Sequence, residues 1–102
     1  MLDTALPPVR PSRHVLAVIT DEGAMLLDLR GRGHWYALPP SGSLWWKHLA
    51  SGASTQQSAD AVAAHYHMDP ARVYADIGRL VDDLLRRRLV EPVTPRRGGW
   101  RK

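Results

Sequence analysis

His65 and His67 are the first residues to test for chemistry, because paired imidazoles are common metal ligands. They stand two positions apart, so on a helix they point to different sides, and no carboxylate cluster completes a site around them. The chain has no cysteine, which removes disulfides, thiolate zinc sites, a Cys nucleophile and iron–sulfur ligation together. Its serines have no matching His and Asp constellation for acyl transfer. Arg30-Gly31-Arg32-Gly33 is too short for a phosphate loop and does not open into a helix. The residue types therefore point away from an enzyme, and no cofactor or metal is expected.

What remains is binding chemistry. The formal net charge is +4, and the basic residues are mostly Arg, whose planar fork pairs with carboxylates or phosphates. Acidic peptides and nucleic acid both fit that balance. Much of the charge is late, in Arg86-Arg87-Arg88 and in Arg96-Arg97 with Arg101 and Lys102. At the end of a helix the first cluster complements the macrodipole, and docking of a partner enzyme is its sharper reading. No apolar run approaches the roughly 18 residues of a membrane span, and no signal segment opens the chain, so a soluble, cytoplasmic protein is expected.

The elements that must position these residues follow from pattern. With 102 residues and 44% apolar content the chain has one domain's worth of core. The Pro-rich start and the basic end suggest flexible segments at 1–12 and 92–102 around a domain at 13–91. His14 to Thr20 is β-branched and apolar and ends at the turn signal Asp21-Glu22-Gly23. Gly23 to Arg30 then alternates, with Met25, Leu27 and Leu29 on one side and Ala24, Leu26 and Asp28 on the other. A second turn leads to a third strand, Gly33-His34-Trp35-Tyr36-Ala37-Leu38, which Pro39-Pro40 must end because proline cannot donate to a ladder.

Ser41 or Ser43 is placed to cap a first helix that puts Trp45, Trp46 and Leu49 on a core-facing side. A second helix opens at Ser54 or Thr55, with Ala59, Val62, Ala63 and Tyr66 on one face. Asp69-Pro70 starts a third, whose stripe of Val73, Ile77, Leu80, Val81 and Leu84 runs to about Arg88. The expected fold class is α+β: a three-stranded antiparallel meander followed by three helices, winged helix-turn-helix-like. In that order the third strand lies at an edge, without the Pro or Lys that blunts edges.

The ordered run Asp21-Glu22-Gly23, Leu26-Leu27-Asp28, Trp35-Tyr36-Ala37-Leu38, Ser41-Gly42, Trp46 and Leu49 resembles the PqqD-like family, the RiPP recognition elements. The Thr55 helix start, Tyr66, Asp69-Pro70 and Arg87-Arg88-Leu89-Val90 extend the likeness over about residues 13 to 91. Pro40 departs from it, since the family usually has a polar residue there. The resemblance implies binding of the leader region of a ribosomally made precursor peptide. The free-standing, Arg-rich form is most similar to leader-binding proteins of lasso-peptide pathways. Their partners would be a separate leader peptidase and an ATP-dependent macrocyclase, with no nucleic acid and no membrane. Lasso leaders commonly offer a Tyr and a Pro as anchors.

The open edge leads to the same mechanism, addition of the peptide as a strand. The expected site comprises Gly33, His34, Trp35, Tyr36, Ala37 and Leu38 on the strand, facing Val73, Asp76, Ile77, Leu80 and Leu84 on the last helix. Arg72 and Arg79 beside them could set peptide polarity. The alternative is a winged-helix DNA-binding protein, against which the last helix begins Asp69-Pro70-Ala71 and carries Asp76, Asp82 and Asp83. A homodimer through the open third strand is a further possibility.

Overall fold

The computed structural model describes residues 6–30 and 33–93. The expected α+β architecture is present, with one addition at each end. Strands β1 (Val9–Pro11), β2 (Val15–Thr20), β3 (Gly23–Asp28) and β4 (Trp35–Leu38) precede helices α1 (Pro40–Ala50), α2 (Thr55–Tyr66) and α3 (Pro70–Arg86), and β5 (Val90–Pro92) follows. The main sheet is antiparallel in the order β2-β3-β4, so β4 is an edge.

β1 and β5 form their own antiparallel ribbon, which carries order outside the expected limits of 13 and 91. Arg10 and Glu91 pair across it at 2.7 Å. Val9, Leu89 and Val90 are buried in the core, and the buried N–H of Val9 donates to Thr55 Oγ1 at 2.9 Å. Three-residue strands show no periodicity, and they become strands only because the two chain ends meet. The remainder of the two expected flexible segments, residues 1–5 and 94–102, lies outside the described residues.

α1 packs on one face of the sheet, α2 packs on α1, and α3 packs on α2 and β5. Leu26 on β3 lies between Ala17 and Tyr36 in the ladder, and it is fully buried with Ala24 and Leu38. Met25, opposite Val18 and Ala37, points the other way into solvent. The richer apolar side of β3 is thus the outer one. The turn out of β4 decides this, since it sends α1 under the face that carries Leu38.

That turn also corrects the expected cap. α1 begins at Pro40 itself, with extended Pro39 at the N-cap and neither Ser41 nor Ser43 as a capping side chain. Proline serves there because a first-turn N–H would have no partner in any case. Trp45 and Trp46 then enter the core edge to face, 6.4 Å between centroids, and Trp45 Nε1 donates to Thr55 O at 3.3 Å. Ser54 caps α2 in a reciprocal pair with Gln57, and Asp69 caps α3 by accepting from Ala71 N–H.

α3 stops at Arg86, two residues short of the expected end. Leu89 N–H bonds to Leu84 O and Arg88 N–H to Leu85 O, a Schellman ending with Arg88 in the left-handed region at φ 60°. Ser12 Oγ and His14 Nε2 hold the Arg88 carbonyl at 2.9 and 2.8 Å, so the strained residue is tied to the start of the sheet.

Two backbone positions give opposed predictions. Arg88→Gly relieves the left-handed strain and keeps the carbonyl contacts, and should raise unfolding free energy by about 0.5–1 kcal/mol. Gly23→Ala should lower it by at least about 1–3 kcal/mol, because Gly23 has φ +147° and a Cβ there would collide with Leu38 O. Urea titrations read both changes, and a stabilised Gly23→Ala protein would contradict this account of the corner.

Candidate peptide-binding edge

The backbone pattern of β4 follows from one bond. Asp28 N–H donates to His34 O at 2.9 Å, so His34, Tyr36 and Leu38 turn their backbone groups toward β3. The alternate residues, Trp35 and Ala37, direct N–H and C=O to the open side. Both are exposed, Trp35 at 53%, and their side chains lie on the outer face. Gly33 is half-buried with φ +71° at the turn, and Leu38 is core.

α3 stands beside this edge without packing its backbone against it. Tyr36, on the inner face, spans the interval and donates Oη–H to Asp83 Oδ2 at 2.5 Å. Asp83 also accepts from Arg87 Nε at 3.3 Å and lies 3.6 Å from Arg86 Nη2. The Arg87 guanidinium sits over the Tyr36 ring, 4.9 Å from its centroid. Tyr36, Asp83 and Arg87 therefore form a brace that sets the distance between strand and helix.

That brace also fixes the rotation of α3. Asp76, Leu80, Asp83 and Arg87 share a stripe at i, i+4, i+7 and i+11, and Asp83 shows that this stripe faces β4. Val73, Ile77 and Leu84 lie one step round the helix, only 2%, 4% and 0% exposed, within the core. Leu80, in the stripe that faces β4, is half-buried and packs against the margin of that core. Asp76 is exposed and paired with Arg79 at 2.7 Å. Of the expected strand residues, Trp35 and Ala37 present backbone to the open side while Leu38 joins the core, and of the apolar helix residues Leu80 alone is not fully buried.

Neither Asp83 nor Arg87 belongs to the expected site, Arg87 being read only as part of a helix-end cluster. A signal for both existed. A tyrosine on the inward side of a short edge strand needs a partner for its hydroxyl, and Asp83 with Arg87 is an i, i+4 pair on the facing helix. At this end of the groove, Asp28, His34, Trp35, Tyr36, Arg87 and Leu89 enclose a mainly apolar cavity of about 310 Å³.

Electrostatics hold the brace in one protonation state. Burial, then the bond to Asp83, pushes the Tyr36 hydroxyl up to about 12, so it remains a donor. The Tyr36 hydrogen bond, followed by that of Arg87, outweighs desolvation and holds the Asp83 carboxyl below its ordinary value. Asp28 is lowered to about 2, chiefly by the Arg30 side chain and backbone. Among the described residues no group of three or more His, Cys, Asp or Glu could hold a metal ion.

A carboxylate with a depressed folded pKa stabilises the protein fully above its unfolded value, and that contribution fades as pH falls through the folded one. Stability should therefore decline as pH drops from 3.8 toward about 2. Asp28→Asn and Asp83→Asn should each flatten that slope in denaturant titrations at stepped pH. An unchanged slope in both variants would contradict the assigned pairs.

Comparison with known proteins agrees with the geometry. The family model described as coenzyme PQQ synthesis protein D (PqqD) matches residues 23–90. A solved structure, TbiB1 in complex with the TbiA(beta) leader peptide, is similar with a TM-score of 0.74 and 27% sequence identity, covering 84% of this chain and 99% of that one. No curated protein matches. The matched span begins at Gly23 and runs through β3, β4 and all three helices to Val90, taking in the corner, the edge and the groove, and the chain belongs to the PqqD family.

Proposed function

We propose that this protein is a non-catalytic recognition element that binds the leader segment of a ribosomally synthesised precursor peptide. The observation that carries the reading is the uncovered β4 edge lying beside the α3 groove, in a chain whose structural relative is described in complex with a leader peptide. The leader adds as a strand against Trp35 and Ala37. Its inward side chains meet Leu80 and the Tyr36–Asp83–Arg87 brace, and one of them enters the cavity between Trp35 and Leu89. Asp76 with Arg79 borders the groove and offers both signs of charge.

The anchors are needed because each ladder bond nets about 0.5–1.5 kcal/mol while each peptide residue costs about 1–2 kcal/mol to order. An affinity near ~1 μM, about −8 kcal/mol, then requires buried apolar side chains worth roughly 1.5–3 kcal/mol each. The bound leader would be delivered to a separate peptidase and an ATP-dependent macrocyclase of a lasso-peptide pathway, in the cytoplasm. Among the described residues no helix is long and apolar enough to cross a membrane.

The test is fluorescence anisotropy of a labelled synthetic leader, taken from the precursor encoded beside this protein's gene, with duplex DNA as the comparison. Binding should saturate and change little between ~50 and ~200 mM salt, whereas DNA capture would weaken steeply. Ala37→Pro removes an outward N–H without touching the β3 ladder, and Leu80→Arg places charge at the groove border. Each should weaken leader binding at least about tenfold, near 1.4 kcal/mol, in a folded protein. Salt-sensitive DNA capture without leader binding would overturn the proposal.

A further inference from the structure

The sheet has a second edge, of different character. β2 is Val15-Leu16-Ala17-Val18-Ile19-Thr20, six residues without a charge or a proline, at the end of the sheet opposite β4. His14 O accepts from Leu29 N–H, so the even-numbered residues of β2 bond to β3. Ala17 and Ile19 direct N–H and C=O to the open side, while the N–H of Val15 is taken by Ser12 O. Leu16 and Val18 are 50% and 48% exposed. Long apolar edges of this kind are ordinarily blunted.

We infer that the β2 edge pairs with β2 of a second copy, joining two sheets across a twofold axis. Charge selects this occupant. Arg13 precedes the strand and Asp21 and Glu22 follow it, all exposed, so antiparallel self-pairing brings each basic start to an acidic end. A twofold axis must set one residue opposite its own copy. Centred on Ala17, it places Leu16 against Val18, Val15 against Ile19, and Arg13 against Asp21 of the second copy.

Entropy favours the same occupant over a flexible peptide. The cavity beside the end of β2, between Ile19, Thr20 and Asp21 and helices α1 and α2, is mainly polar and offers little to an apolar anchor, and ladder bonds alone barely offset the ordering of a disordered chain. A strand already fixed by its own β3 incurs little of that cost. A strand-edge contact is nevertheless small beside a standard interface, so the dimer is concentration-dependent. It leaves both β4 edges free at the far ends.

Sedimentation velocity of the full chain, from about 1 to 300 μM, tests the inference across the range where such a weak dimer dissociates. A monomer–dimer transition is expected. Val18→Lys, on the solvent face, should raise the dissociation constant at least tenfold with an unchanged circular dichroism spectrum. Arg13→Asp and Asp21→Arg should each weaken the dimer, and the double variant should restore it. A monomer throughout the range, or no recovery in the double variant, overturns the inference. So does a dimer dispersed by Ala37→Pro but not by Val18→Lys, since that would locate self-pairing at β4. Leader titration of Val18→Lys separates this inference from the proposed function, because its leader affinity should be unchanged.

Discussion

One helix, α1, on one face of a three-stranded sheet leaves β2 and β4 without a neighbouring strand, and that unequal coverage shapes the rest of the molecule. It originates at Leu38-Pro39-Pro40. The ladder cannot continue through the prolines, and the chain turns under the inner face, where Trp45 and Trp46 fill the volume that a second sheet would occupy in a sandwich. Gly23 permits the turn because Leu38 O passes where another residue would carry its Cβ. The aromatic residues around this corner divide by location. Trp45 and Trp46 hold the core that supports β4, while Trp35 stays outside at the edge and Tyr36 reaches across to α3.

The brace makes the edge a shaped site. Without Tyr36 and Asp83 between them, β4 and α3 would be set apart only by the packing of Val73, Ile77 and Leu84 beneath. A direct charged hydrogen bond, with Arg87 closing it from above, fixes the spacing at one end of the groove. The Arg88 turn secures that end in its own way, through Ser12 and His14 from the sheet's first connection. Sheet, helix and terminal ribbon thus meet at one corner of the groove.

Local pattern revealed the meander, the last two helix starts and the family, because hairpin turns, caps and alternation are short-range constraints written in adjacent residues. Asp69-Pro70 is an example whose meaning does not depend on the rest of the fold. The β1–β5 ribbon was not legible, since Val9-Arg10-Pro11 has no strand signal until Val90-Glu91-Pro92 is placed beside it. The phase of α3 was only half legible. Its apolar stripe is wider than one contact surface, and only the position of Tyr36 shows that the core takes Val73, Ile77 and Leu84 and leaves Leu80 at the border. The outward direction of Met25 on β3 likewise follows from which side α1 takes.

The shortness of β4 decides how selective the edge can be. With only Trp35 and Ala37 presenting backbone to solvent, ladder bonds are too few to hold an ordered peptide, and they are blind to its sequence. In the proposed complex, discrimination comes from side chains that reach past the strand into the cavity and against Leu80. An apolar anchor buried in that cavity would gain about 1.5–3 kcal/mol, and a charged residue at the same position would forfeit that and add a desolvation cost. Sequence preference should accordingly be concentrated in a few peptide positions spaced to the groove, with wide tolerance between them, because the ladder bonds that hold the intervening residues do not depend on side-chain identity.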